Sequence, residues 1–460
     1  MKGIVELETK LYDLDPGVRA EGLAELAALI RVGGIEPDPE CRVVNMHCHT
    51  FFSFNAYGHS PTSLAWLGKQ RGFKLMGIVD FDVLDGVDEF LDACQVLGMR
   101  GTAGIETRVF VPEKADLEIN SAGEPGVCYH MGIGFVTGRV PDAVAPILAD
   151  LGSRADQRNR DILARINDHL DPVTINYERD VLPLTPAGHP TERHMVLAYV
   201  QTAARTVSQP VAFWADRLGL APDEMATIMA DSARFQNIIR ARLMRRGGIG
   251  CIQAKSGMFP LLQDFHELVV GCGALPCAAW LDGTLEAEQD PEAWLAFMVG
   301  KGVVALNIIP DRNWNIAHPT VKRLKLKNLY RIVDLAREMD LPLNVGTEMN
   351  SFGQKLLDSF DAPELAPVRQ AFVDGAHLIF GHTVMQRVLE LGFQSAWAQS
   401  HLPTRRQRNE FYMQIGYQVP PGPTGIRLLQ QLGRNPLPDE VLRWTGATPV
   451  SAAQCRIGLG

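Results

Sequence analysis

Two histidines stand two residues apart in NMHCHT, His47 and His49, directly after the apolar run CRVV. A strand alternates its faces with period two, so both imidazoles point to one side. Two neutral imidazoles side by side pack poorly but suit a borderline cation such as zinc. Other apolar segments also end in chemically active groups. Asp80 closes KLMGIVD, Glu106 closes TAGIE, His130 opens YHMGIGF, and LPLNVG runs into Glu348 and Asn350. If these segments are strands of one α/β barrel, their ends face a common mouth and the groups meet there. Imidazoles and carboxylates gathered in a barrel mouth are costly to bury unless a cation or a hydrogen-bond network satisfies them. The set therefore points to metal binding.

A second group follows the apolar run ALNIIP: Asp311, Arg312, Asn313 and His318. Arg312 offers a planar fork suited to a phosphate or carboxylate, although a structural loop salt bridge is an equal use for it. Lys255 in AKSGMFP and the run KRLKLK add positive charge, the latter also readable as a solvated helix face. His382, in GHT after HLIF, stands at an expected strand end, as a late ligand or a general acid–base group. His377, five residues earlier, should face the other way.

The elements needed to position these residues are visible as patterns. Arg19–Ile30 has helical spacing and stops at Gly33–Gly34. Strand and helix patterns alternate over 41–140, give way to helical patterns over 141–261, and resume over 262–385. The expected organisation is an α/β barrel from 41–140 and 262–385, interrupted by a helical insertion at 141–261. Residues 1–40 form a helical extension, and the Pro- and Gly-rich 386–460 a peripheral segment. The 460 residues are 46% hydrophobic, which excludes global disorder. Lys and Arg total 44 against 53 Asp and Glu, a net charge of −9 that argues against a nucleic-acid scaffold held by phosphate contacts. None of the eight cysteines forms a Cys-x-x-Cys pair, so reduced thiols are expected. The N-terminus lacks a signal-like apolar stretch, and no run approaches the ~20 apolar residues of a spanning helix. A cytoplasmic protein with no membrane partner is the expectation.

Several of these motifs, in this order, resemble the polymerase and histidinol phosphatase (PHP) superfamily. HCHTFFSFNAYGHS resembles its H-x-H-[ST] opening, LMGIVDFDVLDGVDEF its ITDHD segment, and AGIETRV its GIE segment. YHMGIGF is similar to the stretch carrying its next histidine, and LPLNVGTEMN to its last ligand strand. The likeness covers about 41–140 and 262–352. It implies a distorted (β/α)7-type barrel binding up to three metals and, commonly, phosphoesterase activity. ERHMVLAYVQ is similar to the R-x-H-x-A helix in the insertion of members acting on nucleotides or short nucleic acids. That likeness implies that His189 and His194 reach over the mouth; capping or packing within the insertion is the other use of His194.

The chain also departs from the family. Expected ligand histidines fall on Asn55, Phe81 and Asn350, and Trp280 stands near another. Phenylalanine cannot coordinate, and carboxamides are weak ligands for a transition metal. The resemblance leaves His47, His49, Glu106 and Glu348 as ligands of one Zn, Mn or Fe ion. Glu106 and His130, with Asp282, are the candidates for a second. Asp80 is then either an acceptor that fixes a ligand imidazole's tautomer or a proton-transfer group. The expected function is hydrolysis of a small phosphate ester (phosphomonoester, phosphodiester or nucleotide) through a metal-activated water. Asp80, His130 and His382 are its catalytic candidates, and Arg312, Lys255 and His194 its substrate-binding ones. A one-metal amidohydrolase-like enzyme acting on a carboxylate or sugar acid, and a non-catalytic descendant, are the alternatives. The partner expected is a small anionic substrate, with no stable nucleic-acid partner and homo-oligomerisation left open.

Overall fold

Seven largely buried segments become strands and pair in chain order. They are β1 (Val44–Cys48), β2 (Leu75–Phe81), β3 (Arg100–Phe110), β4 (Val127–Phe135), β5 (Leu275–Trp280), β6 (Ala305–Ile308) and β7 (Leu343–Val345). This is a computed structural model describing residues 2–251, 257–433 and 435–446. All pairings are parallel except the two made by β4, which runs against β3 and β5. The ring closes just past β7. The Glu348 N–H donates to the His47 carbonyl and the His49 N–H to the Glu348 carbonyl, both at 2.8 Å. The result is a distorted, nearly closed seven-stranded α/β barrel flanked by helices.

Helices Pro61–Gln70, Val87–Leu97, Leu262–Gly271, Pro291–Gly300 and Pro319–Glu338 connect or precede the strands. Between β4 and β5 the chain leaves the barrel for a helical insertion. This starts with the helix Ala145–Leu170 and continues through Glu192–Thr206, Pro210–Leu218, Pro222–Met229 and Ser232–Ile239. The insertion packs a core of its own around Ile166, Tyr199, Trp214 and Ile239, separate from the barrel core. A wide π-helical turn over Arg240–Met244 extends the last of these helices. Such turns re-aim side chains and recur at functional sites. No helix among the described residues is long and apolar enough to cross a membrane.

One expected strand is absent. AFVDGAHLIFGHT, read as a helix followed by a strand, is one helix, Arg369–Leu389. A short apolar run does not distinguish a strand from a helix buried on all sides. This helix touches β1, β2, β3, β4 and β7, closing the end of the barrel opposite the mouth. Gly375 permits the approach, since a Cβ there would stand 2.1 Å from the Leu343 carbonyl oxygen on β7. The helix Arg405–Gln418 packs behind it, and Phe411, Tyr412 and Ile415 join the barrel core. At the other end of the chain, Leu11, Leu23 and Leu26 from helical residues and their flanks join the same core.

Candidate metal centre

Period-two alternation at the end of β1 turns His47 and His49 inward, and Glu106 of β3 meets them. The Glu106 Oε2 lies 3.3 Å from the Nε2 of each imidazole. All three residues are buried, and ligand atoms from all three fall within 4.8 Å of one another. Both Nε2 atoms and Oε2 lack any hydrogen-bond partner. Buried polar atoms are almost always partnered, so three unpartnered atoms aimed at one point call for a ligand between them. Two ligands of a tetrahedral zinc at roughly 2.0–2.1 Å stand about 3.3 Å apart, so these residues fit a divalent cation. Burial alone would raise the Glu106 pKa, but the facing imidazoles override it and lower it to about 2. Burial likewise works against protonation of His47, and the Glu106 carboxylate outweighs it and raises the imidazole's pKa.

Asp80 takes the orienting place. Its carboxylate accepts from the Thr50 N–H and hydroxyl at 2.7 Å each, and from the Ser53 hydroxyl at 2.6 Å. With its proton given to Asp80, the Ser53 oxygen accepts from His49 Nδ1, 3.3 Å away. The relay keeps the proton on Nδ1 and leaves the Nε2 lone pair for a cation. Burial pushes the Asp80 pKa up, against the pull of His49 and these three donors. Phe81, where the family resemblance expects a ligand, instead stacks on the His49 ring at 5.0 Å between centroids. Asn55 donates to the His49 carbonyl at 2.8 Å and shapes the loop.

Glu348 stays half-buried outside the trio, its Oε2 accepting from Gln354 Nε2 at 2.8 Å. His130 does not reach the centre. In the antiparallel β3–β4 register it stands opposite Thr107, while Met131 stands opposite Glu106. Directly opposed residues share a face, so His130 points away from Glu106 and meets His266 of the flanking helix, Nε2 to Nε2, at 2.7 Å. His382 lies on the helix that closes the far end. Its Nε2–H donates to the Gly134 carbonyl, and its Nδ1 accepts from the Phe393 N–H. Both ring nitrogens serve structure. His194 Nδ1 accepts from the Thr191 N–H at 3.0 Å, which caps its own helix, and burial lowers its pKa to about 3. It is therefore a neutral capping group and no anchor for an anion. Asp282 is engaged by Lys325 Nζ at 2.8 Å. Lys255 lies outside the described residues.

Glu106, Glu348, Asn350 and Arg312 line one cavity of about 820 Å³ between the barrel mouth and the insertion. Arg312, on a one-turn helix after β6, is exposed. Arg108 of β3 joins it from the barrel, and the insertion adds Arg158, Arg193, Arg240, Arg245 and Arg246. Glu192 gathers three of these: Arg240 Nε at 2.9 Å, Arg245 at 3.1 Å and Arg108 at 3.7 Å. Sequence reasoning missed the insertion's arginines. For Arg240, Arg245 and Arg246 the local signal is the run IIRARLMRRGG, which reads equally as a solvated helix face.

The chain is thus a distorted seven-stranded α/β barrel with a buried His/His/Glu cluster suited to a divalent ion. No family model matches it, and no curated protein matches it. Among solved structures, an amidohydrolase from Chromobacterium violaceum with bound sulfate and no metal is similar over 71% of this chain and 96% of its own, at 14% identity and a TM-score of 0.45. A protein from Bifidobacterium adolescentis, provisionally named a metal-dependent phosphoesterase, is similar over 72% of this chain and 97% of its own, at 18% identity and a TM-score of 0.44.

Proposed function

We propose that this chain is a metal-dependent hydrolase and that its substrate is a small phosphate ester. The observation that carries the reading is one cavity lined both by Glu106 of the His47–His49–Glu106 centre and by an excess of guanidinium groups. A divalent cation held by these three residues would supply Lewis acidity to phosphoryl oxygens and to an attacking water. The rest of the chemistry falls to the chain. Asp80, through Ser53, holds His49 in its ligand tautomer. Arg312, with no ion pair among the described residues, is free to contact non-bridging oxygens and to strengthen that contact as charge builds in the transition state. The insertion roofs the cavity and limits bulk water around the reacting centre. A single convergent cluster also favours a second reading, one-ion hydrolysis of a carboxylate or sugar-acid substrate, for which the same arginines would serve.

The test is a metal-supplemented screen of phosphomonoesters, phosphodiesters, nucleotides and sugar acids, followed by Arg312 variants on whatever turns over. Arg312→Ala should cost roughly 10- to 1000-fold in kcat/KM, and Arg312→Lys should recover part of it, because lysine keeps the charge but loses the fork. Turnover of a sugar acid with none of any phosphate ester would replace the first reading with the second.

A further inference from the structure

Arg158 is the least expected charge in the molecule. It is 8% exposed, it lines the cavity, and its one hydrogen bond given by the structure is from Nη1 to the Met258 carbonyl at 2.6 Å. No carboxylate among the described residues lies within ion-pair distance of it. Asp82, Glu124 and Glu192 act on it only from farther away. Burial, reinforced by the neighbouring Arg108, lowers its pKa to about 10, so it remains charged at neutral pH. A buried guanidinium without a paired anion is strongly unfavourable unless something else supplies the charge.

Its position is held from the side. Arg158 and Arg108 both lie over the ring of the buried Phe259, at 4.6 and 4.9 Å from its centroid. The ring holds the two guanidiniums side by side; Arg108 is already paired with Glu124 at 2.8 Å and faces Glu192 at 3.7 Å, so the charge left open to an anion docking beside both is that of Arg158. The barrel sets the distance to the metal centre. Arg108 follows Glu106 by two residues on β3, so it shares that face, with Cα atoms roughly 7 Å apart.

We propose that Arg108 and Arg158 form a second anion subsite, so that the substrate carries an anionic group at each end. One end is the phosphate ester at the His47–His49–Glu106 centre; the other, a phosphate or carboxylate, docks on these two guanidiniums. The subsite deepens the hydrolase reading and rests on it for what happens at the first end. An ester with a single anionic group engages only one of the two sites and binds correspondingly less well.

Equilibrium binding separates the two claims. Calorimetric titration compares methylphosphonate with a butylene-bridged bisphosphonate, which cannot be hydrolysed, on metal-loaded and metal-free protein. Two-point engagement predicts that the bisphosphonate binds the loaded protein at least about tenfold tighter than methylphosphonate. In the metal-free protein the advantage shrinks, because only the arginines remain. Arg158→Gln should bring the ratio in the loaded protein close to one, and Arg158→Lys should restore part of it, with circular dichroism and Tm reporting the fold of each. If Arg158→Gln does not fold, Arg158→Met makes the same prediction. Equal affinities for the two phosphonates on loaded wild-type protein overturn the subsite, whatever the turnover screen gives. A tenfold advantage that vanishes with Arg158, in a protein that hydrolyses no phosphate ester, keeps the subsite and removes the phosphate-ester reading instead.

Discussion

Ser53 contributes no ligand atom, yet the centre depends on which nitrogen of His49 carries the proton. Its hydroxyl is committed to Asp80, and among the described residues the group its oxygen accepts from is His49 Nδ1–H. In Ser53→Ala the imidazole is freer to change tautomer, and Asp80 loses one of its three donors while remaining buried. Divalent-ion affinity should fall roughly 10- to 100-fold, the usual loss when an orienting partner of a ligand is removed. Competition against a chromogenic chelator measures this; unchanged affinity would take Ser53 out of the centre. At this scale the sequence showed all three members of the trio, because His-x-His at a strand end and a carboxylate ending another strand follow period-two logic. His130 was misplaced by the same logic. The expectation grouped it with the residues facing the mouth, and the register that sets it opposite Thr107, and so turns its side chain to the other face, is not written in the local residues.

The helix Arg369–Leu389 shows what local pattern leaves undecided at the scale of elements. Its HLIFG stretch is apolar on every side because strands lie above it and the helix Arg405–Gln418 lies behind it. Alternation and all-round burial look alike over five residues, so the strand expected there and the function expected of His382 failed together. Gly375 gives a measurable consequence. In an exposed helix, Gly→Ala gains about 1 kcal/mol from propensity. Here the new Cβ would stand 2.1 Å from a β7 carbonyl oxygen, a backbone atom that cannot swing away. Overpacking costs of roughly 1–3 kcal/mol should therefore win, and Gly375→Ala should be less stable than wild type in urea denaturation. A variant of raised stability would mean that the helix does not press on the barrel as described.

Across the whole molecule, an acidic chain of net charge −9 builds an arginine-rich chamber by bringing together segments far apart in sequence. Composition cannot reveal such a chamber, and the barrel–insertion alternation shows only that two bodies meet. Glu192 is one tie between them, holding Arg240 and Arg245 of the insertion and facing Arg108 of the barrel. Burial alone would raise its pKa, but Arg245, Arg240 and Arg108 outweigh it and hold the carboxyl well below the usual range. A lowered folded-state pKa contributes stability above the unfolded value of about 4.3, and that contribution is lost as pH falls toward the folded one. Glu192→Gln should thus cost roughly 3–5 kcal/mol at neutral pH, as when one partner of a buried pair is removed. The gap from wild type should narrow in urea denaturation below about pH 4. A gap that stays constant with pH would show that the carboxylate's charge is not what joins the two parts.

The central claim is that His47, His49 and Glu106 hold a divalent ion, and elemental analysis of untagged protein tests it most directly. Wild type dialysed against trace zinc or manganese should retain one ion per chain. The His47→Ala, His49→Ala double variant, folded by circular dichroism, should retain none, because two of three convergent ligand atoms are gone. The same ion content in both proteins would contradict the account and place any metal elsewhere.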